Sequence, residues 1–310
     1  MTAALAIAQL ALLLVLAPGV NGVIKRIKAI LQGRHGPPVL QPYFDLIKLL
    51  RKDAVVSEHS SAVFRWAPAV YASAFATAAL LLPVLWSTAP LGGWGDAIVL
   101  VGLFALARFA LALAGLDTGS AFGGMGSSRE VAIAALAEPA VLLAIFAVAW
   151  RTGGTDLTSM SDWILGHGVE ALTPSQLLAA GAMLVAVIAE TGRIPADNPD
   201  THLELTMIHE GMLLEYSGRA LGILVWATLL KQIVLFALVI ALFVPFGMGV
   251  SPADVPLALG AFLLKLGALA LVMSVIESSS AKLRILKVPE LLGAASALAI
   301  LALVAEVVVG

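Results

Sequence analysis

The sequence has no cysteine, which excludes disulfides and removes the thiolate ligands used by structural zinc, iron–sulfur and some haem sites. It is also poor in charge: Asp, Glu, Lys and Arg make up 12% of 310 residues, roughly half the ~25% typical of a water-soluble domain. Its five histidines do not stand in metal-ligand spacing. The chain therefore offers no ligand set for a redox cofactor of its own, and any such centre belongs to another subunit. The net charge of −2 carries no nucleic-acid footprint.

Apolar residues fill the space that charge leaves. They account for 60% of the chain, with a mean hydropathy of +1.00. They come in blocks near the ~20 residues that cross a hydrocarbon core: Ala3 to Ile24, Ala67 to Trp86, Ala97 to Leu116, Val131 to Trp150, Ser175 to Ala189, Ala220 to Pro245, Pro256 to Ile276 and Val288 to Val309. The first block resembles a signal peptide only superficially, because no Lys or Arg precedes it and no clear cleavage site follows. The pattern predicts an all-α polytopic membrane helix bundle of about eight transmembrane helices, forming one integral membrane domain over residues 1–310.

The basic residues are one-sided. Lys25, Arg26, Lys28, Arg34, Lys48, Arg51, Lys52 and Arg65 follow the first block, and Arg129, Arg193, Arg219, Lys282, Arg284 and Lys287 fall in the other odd-numbered loops. Fourteen of the eighteen basic residues thus share a side. Lys and Arg accumulate in cytoplasmic loops, so residues of about 25–66, 117–130, 190–219 and 277–288 are expected in the cytoplasm and both termini outside it. The run from Lys25 to Arg65 suits anionic lipid headgroups or a docked soluble partner. Within it, LQPYFDLIKLL at Leu40 to Leu50 sets Leu40, Phe44, Ile47 and Leu50 near helical spacing and predicts an amphipathic helix in the membrane interface.

Three groups of polar residues break the apolar pattern. ETGRIPADNPDTHLELTMIHEGMLLE, from Glu190 to Glu215, holds six acidic residues, two histidines and one arginine in 26 positions. Its prolines predict an extended start and then a helix from about Pro199. Glu190, Asp197, Glu204, Glu210 and Glu215 are candidate proton-holding groups, with Arg193, His202, His209 and Arg219 as cavity or docking residues. The plainer reading is a solvated or partner-bound loop. Second, Arg129 and Glu130 enter the fourth span, and Glu138 lies about two turns inside it. An ionised, unpaired glutamate there costs on the order of several kcal/mol, so Glu138 is expected to be paired, protonated or next to water. Third, Arg108, Lys231, Lys265, Glu277 and Glu306 lie in or near spans. Lys231 and Lys265 are the stronger proton-path candidates, because Glu277 and Glu306 can snorkel to a helix end.

At these segments the chain resembles the family of respiratory complex I subunit 1 and its hydrogenase relatives. Gln41, Pro42, Asp45 and Lys48 match that family's amphipathic-helix signature. Glu190, Thr191, Arg193, Pro195, Asp197 and Pro199 match its E-T-x-R-x-P-x-D-x-P motif, and Glu215, Tyr216, Ser217 and Gly218 its E-Y-S-G. Arg129 and Glu138 keep the family's spacing into the fourth span. The stretch His202, Leu203, Glu204, Leu205 departs from the carboxylate-rich run of the quinone-reducing branch, and LRILKVPELLG lacks that branch's arginines. ALAGLDTGSAFGGMGSSRE, from Ala112 to Glu130, looks instead like formate hydrogenlyase subunit 4 and hydrogenase-4 component C.

The resemblance implies a membrane anchor for a group 4 nickel–iron hydrogenase or formate hydrogenlyase-type complex in the cell's inner membrane. It implies a hydrogenase-like large subunit and an iron–sulfur small subunit on the cytoplasmic face, antiporter-like membrane subunits at the side, and surrounding lipid. Iron–sulfur clusters and a nickel–iron centre would lie in those partners. It also implies a cavity formed by the cytoplasmic ends of the first, third and fifth spans; Gln41, Asp45, Lys48, Arg129, Glu130, Arg193, His202, His209 and Arg219 are the candidate cavity or partner-docking residues.

A charge change near Arg193, Asp197 and Glu204 would bias protonation of Glu190 and Glu138 and pass through Lys231, Lys265 and Glu277. At an effective dielectric of about 20, one charge moved within several ångströms is worth a few kcal/mol, or about two pKa units. A quinone-site subunit of an NADH:quinone oxidoreductase is the alternative. An independent secondary transporter is a weaker one, because the chain shows no internal repeat and no paired broken helices.

Overall fold

The computed structural model describes residues 2–58, 60–197, 207–249 and 254–309. Eleven α-helices are found there: α1 (Thr2–Leu31), α2 (Gln41–Leu50), α3 (Ala62–Leu81), α4 (Ala97–Asp117), α5 (Ala121–Thr152), α6 (Leu157–His167), α7 (Pro174–Glu190), α8 (His209–Leu213), α9 (Gly218–Phe243), α10 (Val255–Ser279) and α11 (Val288–Val309). The only β-pairing among the described residues is two isolated bridges, Trp86 with Gly249 and Asp96 with Asp156.

Eight of these helices coincide with the eight apolar blocks, and the chain is a polytopic helical bundle. Six of them are long and apolar enough to cross a membrane by length and composition alone. Two of the eight differ for identifiable reasons. α7 is apolar but only 17 residues long, and α3 carries Arg65, Tyr71, Ser73 and Thr77.

α9 is the axis of the bundle, with every residue from Leu229 to Phe243 buried. Lys231, Gln232 and Thr228 apart, its middle and last turns are apolar all round, as suits a helix enclosed by other helices. α1, α2, α3 and α6 pack on it, α4 joins α3, and α5 joins α4, α7 and α11. Hydrocarbon provides no hydrophobic drive between helices in a bilayer, so small residues that admit close backbone approach do the packing.

The start of α5 shows this best. A Cβ on Gly123 would collide with the Gly115 carbonyl oxygen, and one on Gly126 would stand 2.9 Å from that of Ile208. GGMGSSRE is therefore the first turns of a helix wedged against α4 and α8, and the expected loop over 117–130 shrinks to the residues just before Ala121. The other loop bounds contract as well. α1 runs on to Leu31, so Lys25, Arg26 and Lys28 stand on a helix, and α10 runs on to Ser279. Of the helix expected from about Pro199, residues 199–206 fall outside the described residues, Met207 and Ile208 are not helical, and a short helix starts at His209.

α2 is the predicted amphipathic helix. Leu46 and Pro42 are buried beneath it, while Leu40, Phe44 and Ile47 are exposed along one side. Its loop is stitched to the start of α9: the Val55 amide donates to Ser217 Oγ at 2.8 Å, and that hydroxyl returns a bond to the Val55 carbonyl at 3.0 Å.

The shortness of α7 positions the site. Its 17 residues rise about 25 Å, so Glu190 at its last turn meets side chains from the middles of α4 and α9. The backbone that follows is irregular yet enclosed: Arg193, Ile194, Ala196 and Asp197 are all buried. Irregular backbone at such depth is tolerated only where protein or a cavity surrounds it.

Candidate functional site

The structure gathers the buried charges into two adjoining groups. Arg108 on α4 is the hub of the first. Its Nη2 donates to both Glu190 oxygens at 2.7 Å, and its Nη1 donates to Glu138. The Glu130 carboxylate lies 3.8 Å from its Nε, which is buried and makes no hydrogen bond among the described residues. Lys231 on α9 reaches Glu190 from the other side at 3.0 Å. Helices α4, α5, α7 and α9 each contribute to this group. Buried charges persist only when paired and hydrogen-bonded, and removing one partner strands the rest.

Arg193 is the hub of the second group. It donates to Glu277 at 2.7 Å, to Gln232 at 2.8 Å and to Asn21 at 2.9 Å, tying the segment after α7 to α10, α9 and α1. Lys28 is 3.2 Å from the same Glu277. The groups are linked through the chain, because Lys231 and Gln232 are neighbours on α9 and Glu190 stands three residues before Arg193. Beside them Lys282 pairs with Asp197 at 2.9 Å, and Arg129 donates to the Met207 carbonyl at 3.0 Å.

A cavity of about 310 Å³ opens onto the second group. Asn21, Lys28, Arg193, Gln232 and Glu277 supply its polar wall, and Ile24, Leu213, Val225 and Leu229 its apolar one. The first span supplies the C-terminal part of α1 and the fifth the segment directly after α7, as expected, but α4, the third span, does not line the cavity; α8, α9 and α10 complete the wall instead. A second chamber of about 20 Å³, room for about one water, lies among Arg108, Glu130, Glu190, Asp197 and His209. His209 lines both.

Of the residues singled out in the sequence, Glu130, Glu138 and Glu190 therefore converge on Arg108, Lys231 joins them through Glu190, and Glu277 converges on Arg193. Asp197, His209 and Glu210 border the chambers. Lys265 stands apart and donates to the Phe246 carbonyl at 2.5 Å. Glu306 pairs with Arg151 at 3.3 Å, away from both groups. Glu215 and Arg219 are exposed. Gln41 bonds Asp45 at 2.9 Å on the surface of α2, where Lys48 is exposed too. His202 and Glu204 lie outside the described residues. No cluster of His, Asp and Glu fit to hold a metal occurs among the described residues.

Four members of the site are not evident from the sequence. Arg108 stands out there only as an embedded charge, and its position at the hub depends on three other helices. Lys28 reads as one of many basic residues after the first span. Asn21 and Gln232 carry no charge; their one signal is an amide inside an apolar run, with Gln232 directly beside Lys231.

Comparisons with known proteins agree with this architecture. A family model described as NADH dehydrogenase matches residues 3–309. The chain is 37% identical over 298 residues to formate hydrogenlyase subunit 4 of Escherichia coli (strain K12), covering 96% of each chain. It is 37% identical over 284 residues to hydrogenase-4 component C of the same organism, covering 91% of this chain and 88% of that one. To an NADH-quinone oxidoreductase subunit of Koribacter versatilis (strain Ellin345) it is 31% identical over 196 residues, covering 60% of this chain and 45% of the other. In fold it matches a chain from the structure of the membrane-bound sulfane sulfur reductase, an archaeal respiratory membrane complex. There the TM-score is 0.86 at 20% identity, covering 97% of this chain and 98% of that one.

Proposed function

The chain belongs to the NADH dehydrogenase family, with respiratory-complex membrane subunits among its relatives, and from that premise we propose that it anchors a nickel–iron hydrogenase or formate hydrogenlyase-type complex and couples electron transfer there to ion movement. Its similarity to the two hydrogenase-associated proteins extends over more of both chains than its similarity to the NADH-quinone oxidoreductase protein, which favours this branch. The basic end of the bundle, carrying Lys25 to Arg65 and the segment around Arg193, receives the hydrophilic arm. That arm holds the iron–sulfur clusters and the nickel–iron centre. By the distribution of Lys and Arg this end faces the cytoplasm, in the inner membrane, with both termini opposite.

The observation that carries the coupling is the Arg108–Glu190–Lys231 group adjoining Arg193 and Glu277 at the head of a cavity. A charge arriving in the docked arm above Arg193 shifts the balance of the second group first. Through Lys231, Glu190 and Arg108 that shift reaches Glu138. At an effective dielectric of about 20 and about 4 Å separation, one unit charge is worth ~4 kcal/mol, enough to move a proton between paired groups. The test is a Glu138→Gln, Glu190→Gln double variant of the assembled complex. Loss of proton uptake or membrane-potential coupling is expected, and unchanged coupling would sink the reading.

A quinone site is the second reading, favoured by the mixed apolar and polar lining of the 310 Å³ cavity. Metal and cofactor analysis of the detergent-solubilised complex separates the two. Nickel with several iron–sulfur clusters and no flavin or quinone supports the hydrogenase assignment, and flavin with bound quinone supports the other.

A further inference from the structure

We propose that His209 is the proton-transfer residue between the 310 Å³ cavity and the buried carboxylates around Arg108; this rests on the coupling reading above. Three observations converge on it.

The first is position. His209 lines both the cavity beside Arg193 and the small chamber that holds Arg108, Glu130 and Glu190, and among the described residues no other lines both. His209 is therefore the residue common to the cavity and to the chamber of the Arg108 carboxylates.

The second is the tautomer that its hydrogen bonds assign. Thr228 Oγ1 gives its hydrogen to the Leu224 carbonyl at 2.9 Å. Towards His209 Nε2, at 3.1 Å, the same oxygen can then only accept. Nε2 therefore carries a hydrogen, and in the neutral ring Nδ1 is left as a bare acceptor. Tyr71, whose hydroxyl lies 3.4 Å from Thr228 Oγ1, helps hold that threonine in place. His209 is thus anchored at one nitrogen and open to protonation at the other.

The third is charge. In the first group two cations, Arg108 and Lys231, face three carboxylates, Glu130, Glu138 and Glu190. By formal count the group holds one carboxylate more than it holds cations, so it offers an acceptor for a proton delivered through the chamber. Arg108 Nε is buried and makes no hydrogen bond among the described residues, and the chamber has room for about one water with several polar partners. One water there is within the reach of both His209 and the carboxylates that line the chamber.

The step balances as a proton transfer. Nδ1 takes a proton from water in the cavity, giving imidazolium with one added positive charge. It passes that proton through the chamber to Glu130 or Glu190, and the ring returns to neutral. The Nε2 hydrogen stays on its bond to Thr228 throughout, and no electron moves.

The test measures protons moved into membrane vesicles per electron delivered to the redox arm of the complete complex. His209→Gln keeps an amide hydrogen for Thr228 but cannot titrate, and it should lower the ratio about tenfold or more. His209→Gly should lose coupling likewise and regain it with millimolar imidazole in the medium, which has no effect on His209→Gln. Coupling retained in an assembled His209→Gln complex overturns the proposal. So does loss in both assembled variants without imidazole rescue, which would make the residue structural. If the Glu138→Gln, Glu190→Gln variant keeps its coupling, the coupling reading itself fails. If that variant loses coupling and His209→Gln keeps it, only the assignment of His209 fails.

Discussion

Arg108 grips both carboxylate oxygens of Glu190 at 2.7 Å, joining residues 82 positions apart in the chain. Neither charge is tolerable alone at its depth: their side chains are 8% and 4% exposed. The pair forms because α7 ends early enough for its last residue to come level with the middle of α4. The same termination gives the irregular segment that carries Arg193 and Asp197.

Arg108→Gln is expected to destabilise the chain by about 3–5 kcal/mol, because it leaves buried carboxylates without their counter-charge. Arg108→Lys keeps the charge but loses the two-pronged grip, so it should recover only part of that loss. Unfolding of the purified chain in detergent measures both. A Gln variant within about 1 kcal/mol of wild type would contradict the assigned role.

Gly126→Val should cost about 1–3 kcal/mol, since even a Cβ there meets the Ile208 carbonyl at 2.9 Å and the Met212 amide at 3.1 Å. Gly124→Ala, two residues away, finds nothing closer than 3.9 Å and should be neutral or slightly stabilising. Thermal melts of the two variants side by side test the close packing of α5 on α8.

Tyr216 stacks on Phe64 at 3.9 Å and donates to the Phe64 carbonyl at 2.8 Å, outside the spanning segments. Burial pushes its phenol well above the ordinary tyrosine value, and the Asp117 carboxylate adds to the effect. A raised folded-state value means that the folded chain holds its proton where the unfolded chain would release it. This contribution is full below about pH 10 and falls away as pH rises through the folded value. Tyr216→Phe should keep the stacking, lose about 1 kcal/mol at neutral pH with the hydrogen bond, and flatten the alkaline part of the stability curve. Denaturation midpoints taken from about pH 7 to about pH 11, across the ordinary tyrosine value, decide it.

The absence of cysteine makes single-cysteine labelling direct. In vesicles, a spin label at Phe44→Cys should be reached by dissolved oxygen and shielded from a water-soluble nickel chelate. A label at Asp45→Cys, about 100° further round the helix and exposed, should show the reverse. Equal accessibility at both would rule out an interfacial α2.

Much of this architecture is legible in the residue string, because a bilayer leaves few choices. Backbone groups must pair within their own segment, so a run near twenty apolar residues is a helix, and the eight blocks reappear as eight helices. The amphipathic pattern of α2 is equally local, since Leu40, Phe44 and Ile47 share a face through helical periodicity alone. The start of α5 reads as loop in the sequence because glycine is a poor helix former in isolation. Its value appears only when another backbone lies about 3 Å away, as the Ile208 carbonyl does from the Cβ position of Gly126.

The charged residues divide along the same line. That Glu138 and Lys231 need partners follows from the cost of burying a charge in hydrocarbon, which composition and position alone reveal; that Glu190 and Glu277 are buried as well does not. Which partners they find does not follow. Arg108 with Glu190, and Arg193 with Glu277, Gln232 and Asn21, are contacts across 39 to 172 positions of chain. They are set, like the place of His209 between two chambers, by where α7 stops and how α9 threads the bundle. One-dimensional hydropathy therefore determined what must span, and three-dimensional packing decided which charges meet. Burial energy is a property of each residue, whereas pairing is a property of the distance between two.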